Sequence, residues 1–317
     1  MSKSGCEIGM KATLTILLIL MLVPVLPLLA DSPGTIGFQF LRTQVGARPS
    51  AMGGAFLAIP GDVHNVFYNP AGIMAIKERS AAFSYLNDLL DFATGSVGFV
   101  QPKLGPGTLG AGILYKDYGE FVKTDITGEE IGTFGANSIA LSAVYAIEPY
   151  PNLHAGASAK YIRAAIDNYS ADAVAMDAGV MFTIPSQMLT FAAGVFNLGS
   201  ATSAFITTKD DLPFNFRAGV SKRLAHLPLL IGFNVYKYSE EIWHGAVGGE
   251  FTLTDYLFLR LGYDNRGRDL DVGSTNDHFA GAAVGMGLLW RELQFDYAFT
   301  SYGEMGSLNR FSISGRF

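Results

Sequence analysis

Residues 310–317 read "RFSISGRF", and their side chains alternate between two kinds along the whole stretch. One row holds Phe311, Ile313, Gly315 and Phe317, and the other holds Arg310, Ser312, Ser314 and Arg316. Successive side chains of a β-strand point to opposite faces of the sheet, so a period of two indicates a strand. The pattern therefore predicts a strand with one apolar face and one polar face.

The same alternation recurs upstream of this stretch. In "HFAGAAVGMGLLW" (residues 278–290) one row is almost entirely small, with Gly281, Ala283, Gly285 and Gly287. A small-residue inner face leaves room in the lumen of a barrel. The alternation predicts about fourteen strands, near residues 79–87, 93–101, 108–118, 135–147, 153–166, 173–184, 189–198, 214–224, 229–238, 242–253, 256–264, 278–288, 291–300 and 310–317.

The links between these strands form two classes. Links after even-numbered strands are mostly tight, whereas those after odd-numbered strands are generally longer and polar, including 119–134, 199–213, 265–277 and 301–309. Outer-membrane barrels show this asymmetry. An aromatic girdle at the membrane surface is predicted from tyrosines at the outer ends of odd-numbered strands: Tyr85, Tyr115, Tyr118, Tyr161, Tyr236, Tyr238, Tyr263 and Tyr302. We therefore predict an all-β fold, a transmembrane antiparallel up-and-down β-barrel of about fourteen strands over residues 79–317.

Composition agrees with a membrane barrel. The chain of 317 residues is 49% hydrophobic and 16% charged, against roughly 25% charged residues in soluble domains. After residue 30, no stretch approaches the ~20 apolar residues of a spanning helix. The net charge of −6 and the lack of a basic run argue against a nucleic-acid partner.

The first thirty residues have the order of a signal peptide. Lys3 and Lys11 precede an apolar run, and the small Ala30 is a candidate last residue before cleavage. An uncleaved anchor helix is the alternative. Cys6 is the single cysteine and lies ahead of the apolar run, so cleavage would leave a mature chain without cysteine. We expect the mature protein in the outer membrane of a Gram-negative-type bacterium, in contact with outer-membrane lipid.

Residues 31–78 do not alternate and carry few charges. Eight strands already make a barrel that its own side chains fill, so a barrel of fourteen has a wider lumen to occupy. The segment is therefore predicted to be an N-terminal plug. Its "NVFYNPAG" (residues 65–72) is interpreted as the turn by which the plug enters the wall, with Pro70 fixing the backbone and Gly72 permitting close approach.

The stretch "ARPSAMGGAFLAIPGDVHNVFYNPAGI" (residues 47–73) resembles the N-terminal signature of the PorV/PorQ family, within the wider FadL-like superfamily of outer-membrane proteins. The match is carried by Asn69, Pro70, Ala71 and Gly72 and by the paired Gly53 and Gly54. Departures from the family pattern occur at Pro49, Pro60, His64 and Tyr68. The resemblance implies a fourteen-stranded barrel with an N-terminal hatch in the outer membrane.

The resemblance implies two different functions. PorV-like proteins resemble non-enzymatic adaptors associated with type IX-like protein secretion at the cell surface, so secreted proteins and secretion-system components are expected partners. FadL-like proteins resemble passive uptake channels for long-chain fatty acids or other hydrophobic compounds, and this is the alternative. The barrel assembly machinery is a further expected partner, because the terminal Phe317 resembles the signal that it reads.

Each function has candidate residues. Hydrophobic ligand contacts are predicted in the plug at Phe56, Phe67, Tyr68, Ile73 and Met74, although plain packing explains these side chains equally well. An adaptor needs exposed apolar side chains within a polar rim, and the outer loops offer Phe121, Ile126, Ile131, Phe134, Phe205, Ile206 and Leu212.

Catalysis and metal binding lack the motifs they need. The five histidines are His64, His154, His226, His244 and His278, and none has metal-ligand spacing or a G-x-S-x-G serine to pair with. We expect no enzyme activity, no cofactor and no metal. By parity, charges of both signs point into the lumen at Lys160, Asp177, Arg217, Glu250, Arg260, Glu292, Asp296 and Arg310. Mixed signs favour salt bridges between wall and plug over an open ion channel.

Overall fold

A computed structural model describes residues 36–239, 241–270 and 273–317. The predicted signal peptide, residues 1–30, lies outside the described residues. Fourteen strands are found: β1 Ser80–Asn87, β2 Ala93–Leu104, β3 Gly107–Thr124, β4 Glu130–Tyr150, β5 Leu153–Ile166, β6 Tyr169–Ile184, β7 Leu189–Ala201, β8 Asn215–Arg223, β9 Leu229–Tyr238, β10 His244–Thr254, β11 Leu257–Asp264, β12 Ala282–Trp290, β13 Leu293–Ser301 and β14 Ser307–Arg316.

The strands form one closed antiparallel barrel in which each pairs with its neighbours in sequence. Closure is made by β1 and β14, whose register runs from Ser80 opposite Arg316 to Asn87 opposite Asn309. Every strand edge is thereby paired, which a barrel in lipid requires because no water is available there for backbone groups. The predicted all-β fourteen-stranded barrel is confirmed.

Alternation along β14 matches the expected two faces. Phe311 and Ile313 are 53% and 44% exposed, whereas Arg310 and Ser312 are each 2% exposed. Most other strands expose an apolar row in the same way, with Phe83, Phe99, Ile113, Leu141, Phe191, Phe233, Leu259, Val284 and Phe295 facing outward. These rows form the lipid-facing surface of a transmembrane barrel. No helix among the described residues has the length and apolarity to cross a membrane.

The barrel has a short-turn end and a long-loop end. Links after even-numbered strands hold two to five residues, as at 105–106 and 224–228, and define the short-turn end. Long connections at the other end include residues 202–214, 265–270 and 273–281. One predicted loop is wrong in its extent: residues 119–134 are mostly strand, because β3 and β4 continue as a hairpin whose turn is 125–129. The link between β5 and β6 is also short, at 167–168.

The aromatic girdle is correct for some tyrosines and wrong for others, among them Tyr302, which lines an interior cavity. Tyr85, Tyr115 and Tyr161 are each 42% exposed on the outer surface. In contrast, Tyr236 and Tyr238 are 8% and 2% exposed. Both line the interior, where their hydroxyl groups find polar partners. Position along a strand was therefore an insufficient guide to the face.

The N-terminal segment, here residues 36–78, folds into short helical turns. Helix α1 is Ala47–Ala51 and helix α2 is Asn65–Tyr68. Helix α1 includes Pro49, which lies within the first turn, where a helix needs no backbone N–H. Further 3₁₀ turns lie within the segment and between strands: Gln39–Arg42, Pro70–Ala75, Leu89–Asp91, Pro185–Gln187, Asn265–Leu270, Thr275–Phe279 and Gly303–Met305. Much of the segment is buried against the inward faces of the strands.

Candidate functional site

Glycines of the wall let the backbone of the N-terminal segment come close. A Cβ atom added at Gly262 of β11 would lie 2.1 Å from the Gly53 nitrogen. One added at Gly232 of β9 would lie 2.3 Å from the Ala55 carbonyl oxygen. Real Cβ atoms do not approach backbone this closely, so these strands accept only glycine there. The same holds at Gly156 and Gly248, whereas a Cβ at Gly179 or Gly285 would meet the side chain of Asn69 or Ala51.

The Asn69-Pro70-Ala71-Gly72 motif is a buried turn held by its own side chain. The Asn69 side-chain oxygen accepts a hydrogen bond from the Ala71 N–H at 3.1 Å. Its side-chain nitrogen donates to the Leu57 carbonyl at 2.9 Å. A Cβ on Gly72 would lie 2.5 Å from the Asn65 side chain. The motif therefore cross-links two parts of the segment and leaves no space for a larger residue at position 72.

The paired Gly53 and Gly54 serve a different backbone need. Their φ angles are +63° and +78°, a left-handed region that strains residues with a Cβ. The Gly54 carbonyl accepts a hydrogen bond from the Asn234 side chain at 2.9 Å. This turn thus places the segment against β9 and β11.

A chain of buried ion pairs joins the segment to the wall. Arg48 lies 2.7 Å from Asp62 of the segment and 2.7 Å from Glu250 of β10. Glu250 also lies 2.7 Å from Arg260, which reaches Asp296 of β13 at 2.6 Å. Burial disfavours both charges of the Arg48–Asp62 pair, yet the opposite charges prevail: the pKa of Arg48 is raised, and that of Asp62 is held well below its usual range by His64 and Arg48. Buried charges are thereby paired rather than left alone.

Most of the predicted inward charges lie inside the barrel, although their partners vary. The Arg48–Glu250 pair joins segment and wall, whereas Lys160 pairs with Asp177 at 2.7 Å within the wall. Glu292 is exposed at the short-turn end, where it lines the mouth of the lumen.

His64 links Asp62 to the wall in the order of a hydrolase triad. Its Nδ1 lies 2.8 Å from Asp62 Oδ1, and its Nε2 lies 3.2 Å from Ser84 Oγ. However, Ser84 Oγ also accepts a hydrogen bond from Ser312 at 2.8 Å. The void beside Ser84 leaves only about 10 Å³ for the centre of a water-sized molecule, which is about enough for one water. An acyl substrate has no room there, and the triad's contacts attach the segment to β1 and β14.

An outer cavity of about 440 Å³ lies toward the long-loop end of the lumen. The segment contributes Val45, Phe67 and Tyr68 to its wall, and the strands contribute aromatic and charged side chains. Three of its cations have acidic partners: Lys116 pairs with Asp88 at 2.5 Å, and Arg42 and Arg266 pair with Glu241.

The remaining two cations of the outer cavity, Arg217 and Arg310, have no carboxylate within 4 Å among the described residues. Arg217 donates to the Asn215 side chain at 2.6 Å and to the Tyr238 hydroxyl at 3.1 Å. Arg310 donates to Thr300 at 3.1 Å, and its buried Nε makes no hydrogen bond. Both positive charges act on the hydroxyl of Tyr68, whose pKa burial raises.

An inner cavity of about 380 Å³ lies at the short-turn end. Arg48, Asp62 and Ile76 of the segment line it, together with Gln294 and Arg316 of the wall. The segment thus contributes residues to both cavities and lies between them.

The structure distributes the five predicted ligand contacts between cavity and core. Phe67 and Tyr68 line the outer cavity. Phe56 and Ile73 are fully buried in apolar clusters, and Met74 packs against one of them. Sequence reasoning missed Arg217, Tyr236, Tyr238 and Arg310 as cavity residues, although parity had already placed the two arginines inside.

The predicted outer-loop contacts do not form one surface. Ile126, Ile131 and Ile206 are strongly exposed, at 105%, 60% and 77%. Phe121 stacks on Phe134 at 5.5 Å on the β3–β4 hairpin. By contrast, Phe205 and Leu212 pack into the apolar cluster beneath the loop. The terminal Phe317 is 70% exposed, with its ring 6.4 Å from that of Phe99. Among the described residues, no group of three or more metal-ligating side chains is found.

Comparison with solved structures identifies the fold. A Pseudomonas aeruginosa FadL homologue is 13% identical, with a TM-score of 0.56 over 86% of this chain and 98% of that one. The toluene transporter TodX of Pseudomonas putida is 11% identical, with a TM-score of 0.57 over 86% and 96%. The monoaromatic hydrocarbon channel CymD is also 11% identical, with a TM-score of 0.57 over 86% and 97%. The chain therefore has the fold of the FadL-like barrels.

By sequence, no protein-family model and no curated protein matches the chain. The resemblance to the PorV/PorQ family therefore stays a prediction.

Proposed function

We propose that this protein is an outer-membrane channel for the passive uptake of hydrophobic compounds, with the N-terminal segment as its plug. The observation that carries the proposal is the placement of that segment between two cavities of a closed barrel. The likeness in fold to a toluene transporter and a monoaromatic hydrocarbon channel supports it. Sequence reasoning ranked this function second, behind the secretion adaptor, and the fold comparison favours the channel.

Passage past the plug must cost little free energy, since passive transport has no energy source. The plug meets wall glycines closely at β5 and β6 and again at β9–β11, and Arg48 meets Glu250 of β10. Contact with β2 is looser: a Cβ added at Gly98 would meet Val63 at 3.4 Å, an ordinary van der Waals distance. We infer that a solute moves between the cavities along the β2 side, where side chains rather than backbone have to yield.

Uptake by cells tests the channel directly. Cells that carry the protein in the outer membrane should take up a radiolabelled monoaromatic hydrocarbon faster than cells that lack it. Leu308 is 4% exposed and lines the outer cavity, so Leu308→Trp should slow uptake by filling space. Leu261 is 68% exposed on the outer face, and Leu261→Trp is the matched control. Equal uptake with and without the wild-type protein would refute the channel.

Conductance tests the plug separately. Deletion of residues 37–75 should raise single-channel conductance in planar bilayers, because water would then fill the lumen. The folded barrel is verified by its β-rich circular dichroism spectrum and by altered gel mobility without heating. Unchanged high conductance in both forms would contradict the plug and indicate an open porin.

A secretion adaptor remains the second candidate, and the β3–β4 hairpin favours it. Ile126 is 105% exposed at the hairpin turn, with Ile131 close by at 60%. Exposed apolar side chains in a polar setting mark protein contact sites. Gentle extraction from the host should then co-purify secreted proteins or secretion-system components, and Ile126→Ser with Ile131→Ser should lose them. Thr124→Ser on the same hairpin is the control. A barrel that co-purifies with no protein would eliminate the adaptor.

A further inference from the structure

We propose that the outer cavity binds organic carboxylates with a compact aromatic body, through Arg217 and Arg310. This rests on the proposed uptake function, because it names the substrate class of the same cavity. The argument starts from the imbalance of charge in the cavity, where three cations have acidic partners and these two have none among the described residues.

Arg310 is the stronger indicator of an anion. It is 2% exposed, and its Nε makes no hydrogen bond. A guanidinium buried without a counter-ion loses hydration that a neutral hydroxyl such as that of Thr300 replaces only in part. A carboxylate in the cavity restores the missing charge and accepts charge-assisted hydrogen bonds, the strongest kind available to arginine.

Arg217 provides the second cation of the site. Its guanidinium lies over the ring of Phe196 at 5.1 Å and within 6.0 Å of the ring centres of Tyr236 and Tyr238. These rings keep the guanidinium among aromatic side chains, where cation–π attraction orients it without neutralising its charge. Phe67 and Tyr302 add aromatic surface to the same cavity. An aromatic ring on the ligand finds stacking partners here, and its carboxylate is attracted by the positive charges of both arginines that line the cavity.

The same geometry disfavours a neutral hydrocarbon as the tightest ligand. Such a ligand would displace water from the half-buried Arg217 and leave both positive charges without compensation. The volume of about 440 Å³ falls within the usual range for small-molecule sites. A single ring with a short carboxylate chain is therefore the best match in both size and charge.

Binding to the purified full-length barrel in neutral detergent tests the site. The probes are 3-phenylpropanoate and its neutral analogue 3-phenylpropanol, measured by equilibrium dialysis. We expect the acid to bind at least about tenfold more tightly, the scale of one charge-assisted hydrogen bond. Arg217→Gln and Arg310→Gln should each remove about that factor for the acid and leave the alcohol unchanged.

Two further variants serve as a control and as a substitute for a variant that does not fold. Arg291→Gln, at an exposed turn, is the matched control and should change neither affinity. If Arg310→Gln fails to fold, two other variants test the site. Arg310→Lys keeps the charge, and Arg217→Gln changes a half-buried position. Equal affinity of acid and alcohol, or acid binding indifferent to the loss of Arg217, would overturn the site. Equal displacement by inorganic phosphate would overturn the aromatic carboxylate as its ligand.

Binding and uptake separate this inference from the function on which it rests. Arginine-dependent binding of the acid with no uptake of any probe would refute the channel and leave the site standing. Uptake of the neutral probe, unaffected by either arginine variant and without tighter acid binding, would refute the site and leave the channel standing.

Discussion

The two halves of the barrel interior differ in what fills them. Toward the short-turn end and the middle, wall glycines such as Gly262 meet the backbone of the N-terminal segment, and the buried charges are paired. Toward the long-loop end the wall carries large polar and aromatic side chains, which surround the outer cavity. Where backbone occupies the lumen, the wall must be small. Where it does not, side chains reach inward, and two arginines have no acidic partner among the described residues.

The ion pairs of the two halves should also differ in how much they stabilise the folded protein. Glu250 lies in the packed half and is 3% exposed, although its partner Arg48 also lines the inner cavity. Lys116 and Asp88 lie at the outer cavity, where water can replace a lost partner. Loss of a partner is therefore least compensated at Glu250.

Arg48→Gln should have the largest effect. It leaves Glu250 and Asp62 buried with one cation fewer, and breaking a buried pair costs about 3–5 kcal/mol. Arg163, which is 49% exposed beside Asp172, supplies the control Arg163→Gln. Denaturant unfolding in detergent micelles, followed by tryptophan fluorescence, measures both. Equal losses of unfolding free energy for the two variants would contradict the expected difference between the packed interior and the surface.

Gly262→Ala tests the packed half without changing charge. The new methyl group would meet the backbone of Gly53 and Met52, so the N-terminal segment has to shift at a cost of about 1–3 kcal/mol. Gly95→Ala is the matched control, since nothing lies within 4 Å of a Cβ there. Single-channel conductance should rise only for Gly262→Ala. Similar behaviour of both glycine variants would mean that the segment is not seated on β11.

Lys116→Gln should be milder than Arg48→Gln. Asp88 then faces the cavity, and the loss is about 1 kcal/mol, at the upper end for solvated pairs. The stability difference from the wild type should shrink as salt is added, because solvated pairs are screened. The same unfolding assay at low and high salt measures it. A loss as large as that of Arg48→Gln would show the cavity to be dry.

The smallest effect is expected from mild acid on Asp62. Its folded pKa lies below the unfolded value of about 3.9, so its contribution is fully present above that value and lost as pH falls through the folded pKa. The stability difference between the wild type and Asp62→Asn should therefore stay constant from about pH 8 to pH 5 and shrink only below about pH 4. Unfolding curves across this range measure it. A decline already at pH 6 would contradict the ion-paired carboxylate.

The wall could be predicted from the sequence because its signal is local. Alternation such as that of residues 310–317 depends only on which face meets lipid, and each strand carries it independently. Prediction failed where the same local residue pattern is compatible with two different structures. The polar pattern of residues 119–134 fits either a loop or a strand that extends into solvent. Likewise, a tyrosine such as Tyr236 is compatible with either an aromatic girdle or a polar interior.

The sequence by itself determined the barrel, its fourteen strands, the inward position of Arg217 and Arg310, and the need for small residues on the inner wall. Only the tertiary structure decided which wall glycine meets which part of the N-terminal segment, which charges pair, and where a cavity remains. The physical reason is range: face and period are set by neighbouring residues, whereas Arg48 reaches Glu250 across 202 positions of sequence. That contact exists only once the barrel has closed around the segment.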